Sequence, residues 1–310
     1  MDKKISVVVA CYKDAQAIPI MYERLIKIFQ KTNYDYEIIF VNDSSPDNTI
    51  QIIKKISKLD KNVIGINHTR NFGSQSAFLS GMQISKGTAV ALMDGDLQDP
   101  PELLLDFILK WEEGFEVIYG VRKSREAPWY MQISYKLFYR IFSKLSSFQV
   151  PKDAGDFSLM DRKVVEFILK LDEREPFIRA LRAFYGGKSC GIPYVRPERK
   201  FGKSTNNIFK NLGWAAKGLV AVSRIPLNLV TLLSFFLMPI ALIVLIVLRI
   251  FFEGESSQIL DSTFLIILVF IIFQNSILAL YLGKVFEDVK KRPHFIRDSL
   301  IISGEIIDKK

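Results

Sequence analysis

The sequence has few residues of the types that form disulfides or bind zinc. Its 310 residues include only two cysteines and two histidines. Cys11 and Cys190 lie in unrelated contexts without a Cys-x-x-Cys motif, which indicates two reduced, packed thiols in a cytosolic compartment. Because His68 and His294 are the only histidines, a histidine-based zinc site is nearly excluded.

Acidic residues are also in deficit. Lysine and arginine total 42 against 33 aspartates and glutamates, so the formal net charge is +9, while 49% of the residues are hydrophobic. This combination favours a membrane-associated protein at least as well as a nucleic-acid binder, and the apolar segments described next argue against nucleic acid as a partner. The N-terminus has an apolar run of only about seven residues and lacks a small-residue cleavage site, so we expect the first domain to stay in the cytoplasm.

Two long segments contain no charged residue. They span residues 227–248 and 263–282, and each is long enough to cross a bilayer as a helix. The connector between them is acidic, whereas the outer flanks are rich in lysine and arginine. The positive-inside rule therefore places the connector outside and both termini in the cytoplasm, as a multi-pass protein of the inner (cytoplasmic) membrane. We expect a juxtamembrane helix over 206–226 and a cytoplasmic tail over 283–310.

The first 205 residues alternate between short β-branched runs and helical patterns. This alternation predicts an α/β domain with a mostly parallel, Rossmann-like sheet, in which ligands bind beyond the carboxyl ends of the strands. Residues 127–148 carry aromatic and aliphatic residues at helical spacing with basic residues between them, which predicts an amphipathic interfacial helix, although a core helix explains the pattern equally well. The predicted strands are 5–12, 36–43, 63–68, 88–94 and 116–122, and the predicted helices are 15–31, 47–60, 73–86 and 100–113.

Carboxylates cluster at the predicted strand ends. Asp14 follows the first strand, Asp43 ends the second, and Asp94 and Asp96 end the fourth. Asp94 and Asp96 would point to the same side of an extended segment and repel each other unless a divalent cation, Mg²⁺ or Mn²⁺, bridged them to a diphosphate. Asp99 precedes two prolines and Glu102, a pattern typical of a helix N-cap, and we interpret it mainly as a cap, with a ligand as the alternative.

Four motifs in order resemble a known family. VVVACYKD (7–14), VNDSSPDNT (41–49), DGDLQDPPE (94–102) and AGDFSLMDR (154–162) are together similar to the family 2 glycosyltransferases of GT-A fold. The resemblance is strongest to the polyprenyl-phosphate group, which includes dolichyl-phosphate mannose synthase and the bactoprenol (undecaprenyl-phosphate) glucosyltransferases. It covers residues 5–205, and the paired C-terminal spans resemble the bactoprenol branch.

The resemblance implies roles for the acidic residues. It implies that Asp43 accepts a hydrogen bond from the nucleobase and that Asp14 contacts the nucleotide, with a turn cap and a loop carboxylate as the structural alternatives. Asp94, Asp96 and Gln98 match positions around the metal and the nucleotide-sugar diphosphate, with Asp96 the strongest metal candidate. Asp156 matches the proposed base near the acceptor oxygen, although it could also be a simple turn residue.

Basic residues should surround two phosphate-bearing substrates. Arginine binds phosphate oxygens in a bidentate manner, and the alternative is a solvated basic face near anionic lipid. The family commonly has lysine where this chain has Thr205, which weakens the assignment of that loop to the acceptor phosphate. The basic candidates include Arg122, Arg125, Arg196, Arg199, Lys200 and Lys203, and Ser204 is a further candidate for substrate binding.

These observations predict a membrane-anchored, metal-dependent, inverting glycosyltransferase. It would transfer one sugar, most simply glucose from UDP-glucose, to the phosphate of undecaprenyl phosphate or a similar polyisoprenyl phosphate. A homo-oligomer and a downstream flippase are compatible partners. The alternatives are a processive polysaccharide synthase, which usually carries a QxxRW motif and more spans than this sequence has, and a catalytically inactive scaffold that binds nucleotide at the membrane.

Overall fold

The computed structural model of the chain describes residues 3–122, 151, 154–174, 176–197, 225–251 and 257–308. These residues divide into two compact units. The first comprises residues 3–122, 151, 154–174, 176–197 and 292–308, and the second comprises residues 225–251 and 257–291.

The first unit contains a mixed sheet with helices on both faces. The strands are β1 (Lys4–Cys11), β2 (Asp35–Asn42), β3 (Val63–His68), β4 (Ala89–Asp94), β5 (Val117–Arg122), β6 (Ala154–Asp161), β7 (Ser189–Tyr194), β8 (Arg297–Ile302) and β9 (Glu305–Asp308). The helices are α1 (Ala17–Phe29), α2 (Thr49–Leu59), α3 (Ser74–Ile84), α4 (Leu103–Glu112), α5 (Arg162–Lys170) and α6 (Ile178–Tyr185).

The centre of the sheet is parallel, and antiparallel pairs flank it. The strand order is β7-β5-β6-β4-β1-β2-β3-β8-β9. β4, β1, β2 and β3 run parallel, as the alternating sequence pattern predicts, and β7 pairs parallel with β5. β6 pairs antiparallel with β4 and β5, and β8 pairs antiparallel with β3 and β9. The sheet is therefore mixed, and the start of β6 lies at the edge where β4 and β1 end.

Both faces of the central strands are buried. On β1, Val7 and Val9 pack with α1, α2 and α4 on one face, whereas Val8 and Ala10 pack with α3 and the later helices on the other. Alternating side chains point to opposite faces, so a strand covered on both sides is a continuous apolar run. Burial of this kind, worth about 1.5–3 kcal/mol for each large aliphatic side chain, holds the strand ends in fixed positions.

The second unit contains two long apolar helices, α7 (Ile225–Phe251) and α8 (Ser257–Lys290). Residues 227–244 and 264–290 each have a mean hydropathy of 2.4, and almost none of either stretch is buried within the protein. A core helix of a soluble protein would be mostly buried. By length and composition, both helices are therefore candidate membrane spans, and they contain the spans predicted from sequence.

The C-terminus differs from the predicted tail over 283–310. α8 continues to Lys290, and β8 extends the sheet by pairing with β3, for example Ile64 opposite Ile302. Ser303 and Gly304 have φ of 53° and 78°, the conformation of a two-residue hairpin turn, and β9 follows directly. The predicted helix over 127–148 lies outside the described residues, as do residues 206–224 of the helix predicted over 206–226.

Candidate active site

Three loops at the carboxyl edge of the sheet contain residues with unusual backbone geometry. Lys13, Ser44 and Leu97 follow β1, β2 and β4, and their φ values are 61°, 55° and 62°. Residues other than glycine adopt positive φ rarely, and such conformations concentrate at functional sites. Main-chain hydrogen bonds join these loops, because Asp43 N donates to Cys11 O at 3.0 Å and Gly95 N donates to Ala10 O at 2.8 Å.

The loops after β1 and β2 are held together by an aspartate that received no role from the sequence. Asp47 accepts hydrogen bonds from Ala15 N at 3.1 Å and from Thr49 N at 3.2 Å. Burial alone would raise the pKa of Asp47, but the bonds from Ser45, Thr49 and Ala15 lower it below its ordinary value. Asp14, predicted to contact the nucleotide, is buried beside this loop and accepts a hydrogen bond from Tyr12 N at 2.9 Å.

Asp43 is buried, and its carboxylate is bonded on both oxygens. Oδ1 lies 2.9 Å from His68 Nδ1 and accepts from Phe72 N at 2.9 Å, while Oδ2 accepts from Gly73 N at 2.7 Å. These bonds fix the segment that leads into α3. The predicted nucleobase contact of Asp43 stays a prediction, and the structure adds an anchoring role.

A row of hydrogen bonds connects the loop after β2 to β8, the strand that pairs with β3. Asn42 Nδ2 donates to Asn67 Oδ1 at 2.7 Å, and Asn67 Nδ2 donates to Asp298 Oδ2 at 3.0 Å. Asn42 Oδ1 also accepts from Ser45 N at 3.1 Å. We name this row, Ser45–Asn42–Asn67–Asp298, the asparagine relay. It joins β8 to a loop of the candidate site.

The predicted metal-binding acids lie at the end of β4 and just beyond it. Burial raises the pKa of Asp94 well above its ordinary value, and the charges of Asp99, Asp156 and Asp96 raise it further, against the influence of Arg196. Asp96 Oδ1 accepts from Gln98 N at 3.0 Å, and Gln98 Nε2 donates to Pro197 O at 3.3 Å. The structure therefore places Asp94, Asp96 and Gln98 together at the same edge as Asp156.

The interpretation of Asp99 as a helix cap is wrong. α4 begins at Leu103 with Glu102 at the N-cap position. Asp99 is buried and instead accepts a hydrogen bond from the Tyr194 hydroxyl, with Arg196 Nε at 3.8 Å from Oδ1. Burial raises the pKa of Asp99, opposed by the Tyr194 hydrogen bond and by Arg196. Asp99 is thus part of the charged site.

Asp156 is held by an arginine that the sequence did not single out. Arg179 Nε donates to Asp156 Oδ1 at 3.2 Å, and Nη2 donates to Oδ2 at 3.0 Å. Burial alone would raise the pKa of Asp156, but Arg179 and then Arg182 lower it below its ordinary value. Asp156 is therefore ionised and a weak base. Arg179 and Arg182 are three residues apart on α6, and this spacing places both on one helix face.

Two of the predicted basic candidates lie within the described residues: Arg196, which is close to Asp99 as described above, and Arg122. Arg122 Nε donates to the Tyr194 hydroxyl at 3.4 Å. Burial lowers the pKa of Arg122, but the bond to Tyr194 and the charge of Asp99 outweigh it and raise the pKa. The other predicted basic candidates, with Ser204 and Thr205, lie outside the described residues: Arg125, Arg199, Lys200 and Lys203.

The acids after β4 suit a divalent cation that also binds a ligand. Among the described residues, no group of three or more histidine, cysteine, aspartate or glutamate side chains is arranged to hold a metal. Asp94 and Asp96 can supply two carboxylates, and burial, followed by the charges of nearby acids, raises the pKa of Asp94. A hard cation such as Mg²⁺ takes one or two carboxylates and completes its shell with phosphate oxygens and water. The residues therefore fit a cation that arrives with a diphosphate.

Residues 6–169 match the protein family described as glycosyl transferase family 2. The chain belongs to this family. The predictions of the family, of an α/β GT-A fold and of glycosyltransferase activity are confirmed, and family members of GT-A fold generally use a divalent cation.

Two relatives align over nearly the whole chain, and a solved structure aligns over part of it. The chain is 35% identical to an uncharacterised glycosyltransferase, YkcC, of Bacillus subtilis, over 94% of this chain and 92% of that protein. It is 32% identical to the SfII prophage-derived bactoprenol glucosyl transferase of Shigella flexneri, over 94% of this chain and 97% of that protein. The crystal structure of mannosyl-3-phosphoglycerate synthase from Rubrobacter xylanophilus aligns with a TM-score of 0.48 and 14% identity, over 71% and 73% of the two chains.

Proposed function

We propose that this glycosyltransferase transfers one sugar from a nucleotide sugar, most simply glucose from UDP-glucose, to the phosphate of a polyisoprenyl phosphate such as undecaprenyl phosphate. The similarity to bactoprenol glucosyl transferases over most of the chain supports the acceptor class. The two candidate membrane spans support an acceptor that resides in a bilayer.

One observation carries the proposal. Asp156 and the acids Asp94 and Asp96 lie at the same edge of the sheet, close enough that the charge of Asp156 raises the pKa of Asp94. A donor diphosphate and an acceptor phosphate must meet within a few ångströms for the sugar to pass between them. This edge of the sheet provides the meeting point. It carries Asp94 and Asp96, which suit a metal bound to a diphosphate, and also the ionised Asp156 with its arginines.

The residues have distinct roles in this proposal. Asp94 and Asp96 would hold Mg²⁺ or Mn²⁺, which supplies charge neutralisation to the leaving diphosphate when bound. Asp14 and Asp43 lie in the loops proposed to bind the nucleotide. A phosphate monoester has a second pKa near 6, so the acceptor is largely ionised at neutral pH. Asp156, itself ionised, would therefore orient the acceptor more than deprotonate it.

The membrane arrangement follows from charge. Both flanks of the candidate spans are basic and the connector is acidic, which supports cytoplasmic termini and a catalytic domain on the cytoplasmic face. The lipid-linked sugar would form there, and a flippase would be needed to move it across the bilayer. Arg125, Arg199, Lys200, Lys203 and Ser204 remain candidates for phosphate contacts.

The test is a transfer assay with the full-length protein in detergent. Radiolabelled nucleotide sugars are offered one at a time with undecaprenyl phosphate, with and without Mg²⁺ or Mn²⁺, beside Asp96→Asn and Lys163→Gln. We expect metal-dependent transfer from one donor, a loss of about a hundredfold or more in Asp96→Asn, and no change in Lys163→Gln, whose ion pair with Glu116 involves an exposed side chain. If no donor supports transfer although UDP binds, the proposal is wrong and a nucleotide-binding scaffold is favoured. Polymeric product would instead favour a processive synthase.

A further inference from the structure

Three arginine side chains contact two consecutive residues of β6, Gly155 and Asp156. Arg182 Nη2 donates to Gly155 O at 2.7 Å, and Arg179 forms the two bonds to Asp156 described above. Arg122 lies against Gly155 so closely that a Cβ there would be 2.9 Å from Arg122 Nη2. Glycine at position 155 thus leaves room for this guanidinium. Three guanidinium groups therefore surround the pair Gly155–Asp156, which carries one carboxylate.

The described residues do not use all the hydrogen-bond donors of this cluster. Arg182 is 2% exposed, and its Nε and Nη1 have no hydrogen-bond partner in the described part of the chain. Burial lowers the pKa of Arg182 to about 10, with a further contribution from Arg179. Buried guanidinium donors are costly to leave unpaired, so an anion that accepts hydrogen bonds from them would be favoured here. The cluster therefore has the chemistry of an anion site.

Like Arg122, Arg179 is a partly exposed member of the cluster, so a ligand can reach it. Its side chain is 32% exposed, whereas that of Asp156 is 12% exposed. Burial lowers the pKa of Arg179, but the nearby charges of Asp156 and Asp94 raise it, and Arg122 opposes them. Arg179 therefore lies within electrostatic range of both the acids after β4 and the arginine after β5. This is where a donor diphosphate and an incoming acceptor would meet.

We propose that Arg179 binds the phosphate of the acceptor, with Asp156 holding its guanidinium in position until the phosphate arrives. This inference rests on the proposed function, because it assigns the acceptor phosphate of that reaction to a specific side chain. Arg122 and Arg182 supply the surrounding positive charge, and Gly155 keeps the site open for Arg122.

A purely structural role for Arg179 gives a different expectation. If Arg179 only fixed Asp156, its loss would lower kcat and leave phosphate affinity unchanged. If Arg179 binds the phosphate, the phosphate and the Asp156 carboxylate compete for one guanidinium. Removal of the carboxylate charge in Asp156→Asn should then strengthen phosphate binding, even though turnover falls. The two roles are separated by the phosphate affinity of Arg179→Gln, and the sign of the change in Asp156→Asn tests the competition.

The experiment measures binding and kinetics on the full-length protein in detergent. Dissociation constants are determined for farnesyl phosphate, for farnesol, for inorganic phosphate and for UDP with Mg²⁺, and KM is determined for undecaprenyl phosphate. The variants are Arg179→Gln, Arg179→Lys and Asp156→Asn. Lys163→Gln is the matched control, because Lys163 pairs with Glu116 beyond the far end of β6.

We expect Arg179→Gln to weaken farnesyl phosphate binding and raise KM for undecaprenyl phosphate by about ten- to a hundredfold, the usual effect of losing a charge-assisted hydrogen bond. Arg179→Lys should recover part of the loss, because it keeps the charge without the bidentate geometry. Farnesol and UDP binding should change less than about twofold, because in this proposal Arg179 contacts neither the isoprenyl chain nor the nucleotide. Weakened inorganic phosphate binding would show that the headgroup, not the isoprenyl chain, is recognised.

Other results reject the inference. Suppose that the wild-type protein transfers sugar. The inference is then wrong if Arg179→Gln binds farnesyl phosphate as well as wild type does, or if Asp156→Asn binds phosphate more weakly. In either case the proposed function still stands. Weakened UDP binding in Arg179→Gln would assign the arginine to the leaving group instead. A wild-type protein that binds UDP but neither binds farnesyl phosphate nor transfers sugar rejects the proposed function along with the inference.

Discussion

The two halves of the site treat their carboxylates in opposite ways. In the loops after β1 and β2, which we name the anchored half, Asp43 and Asp47 accept hydrogen bonds from main-chain N–H groups. In the charged half, Asp94 and Asp99 are buried near other acids and their pKa values are raised. The anchored half is complete without a ligand, whereas the charged half carries electrostatic strain that a cation and phosphates would relieve.

The difference indicates how binding and chemistry are divided. Preorganised loops lose little entropy when they receive a rigid ligand such as a nucleotide. Closely spaced like charges destabilise the fold, and they are retained where a ligand of opposite charge is used. The same substitution, Asp to Asn, should therefore have opposite effects on stability in the two halves. The exposed Asp35, at the start of β2, is the matched control for both.

The largest effect is expected in the anchored half. Asp43→Asn replaces one acceptor oxygen with an NH₂ group, so one of the buried donors around it, Phe72 N, Gly73 N or His68 Nδ1, loses its partner. An unsatisfied buried donor costs about 1–3 kcal/mol. We expect the unfolding midpoint in detergent to fall by about 4–8 °C and UDP binding to weaken. A variant as stable as Asp35→Asn would show that the loop does not depend on this anchor.

Part of the fold and of the two halves of the site could be predicted from the sequence, and part could not. Each of the first five strands and the first four helices was predicted to within a few residues, because apolar runs and helical spacing are local signals. The acids Asp94 and Asp96 were also found locally, as a pair that closes an apolar strand. The fate of Asp43 depends on Phe72 and Gly73, which are 29 and 30 residues away. No local pattern reports that contact.

Long-range contacts also explain the other differences. Asp99 was misread because its proline and glutamate neighbours match a cap, while its partner Tyr194 is 95 residues away. Arg179 pairs with Asp156 across 23 residues and a change of element. β8 reaches β3 across more than two hundred residues, so the pairing of Ile64 with Ile302 could not be foreseen from the short run Leu300–Ile302. The Ser303-Gly304 turn was the only local signal.

A smaller effect of opposite sign is expected in the charged half. The pKa of Asp94 is raised, so the folded state keeps this proton to higher pH than the unfolded state does. Stability therefore falls as pH rises through the folded-state pKa. Asp94→Asn removes this charge and should raise the unfolding midpoint at pH 7 by about 2–4 °C, while transfer activity is lost.

The pH dependence distinguishes this explanation from a general effect of lost charge. Below about pH 4, the ordinary range of an aspartate pKa, Asp94 is protonated in both states and the gain in stability should disappear. The charges that act most on Asp94 are those of Asp99, Asp156, Asp96 and Arg196, and all four residues are retained in the variant. The explanation by electrostatic strain is wrong if the unfolding midpoint of Asp94→Asn equals that of wild type at pH 7. It is also wrong if the midpoint is raised as much at pH 4 as at pH 7. Asp35→Asn should show neither change.

The smallest effect is expected at the far end of the asparagine relay. Asp298 is exposed and bonds Asn67, whose amide in turn orients Asn42 and the loop after β2. Because water competes for an exposed hydrogen bond, Asp298→Ala should cost no more than about 0.5–1 kcal/mol and weaken UDP binding by about two- to fivefold. Asp298→Asn keeps an acceptor oxygen and should restore the affinity, while Glu305→Ala on β9 is the control.

UDP binding by these variants decides whether β8 belongs to the anchored half. If Asp298→Ala weakens UDP binding and Asp298→Asn does not, the residues that follow the second apolar helix help to orient a loop of the site, since β8 reaches that loop through Asn67. Equal UDP affinity in Asp298→Ala and Glu305→Ala would limit β8 to covering the edge of β3. Covering an exposed strand edge is sufficient reason for a short strand there, because an unpaired edge invites association with other chains.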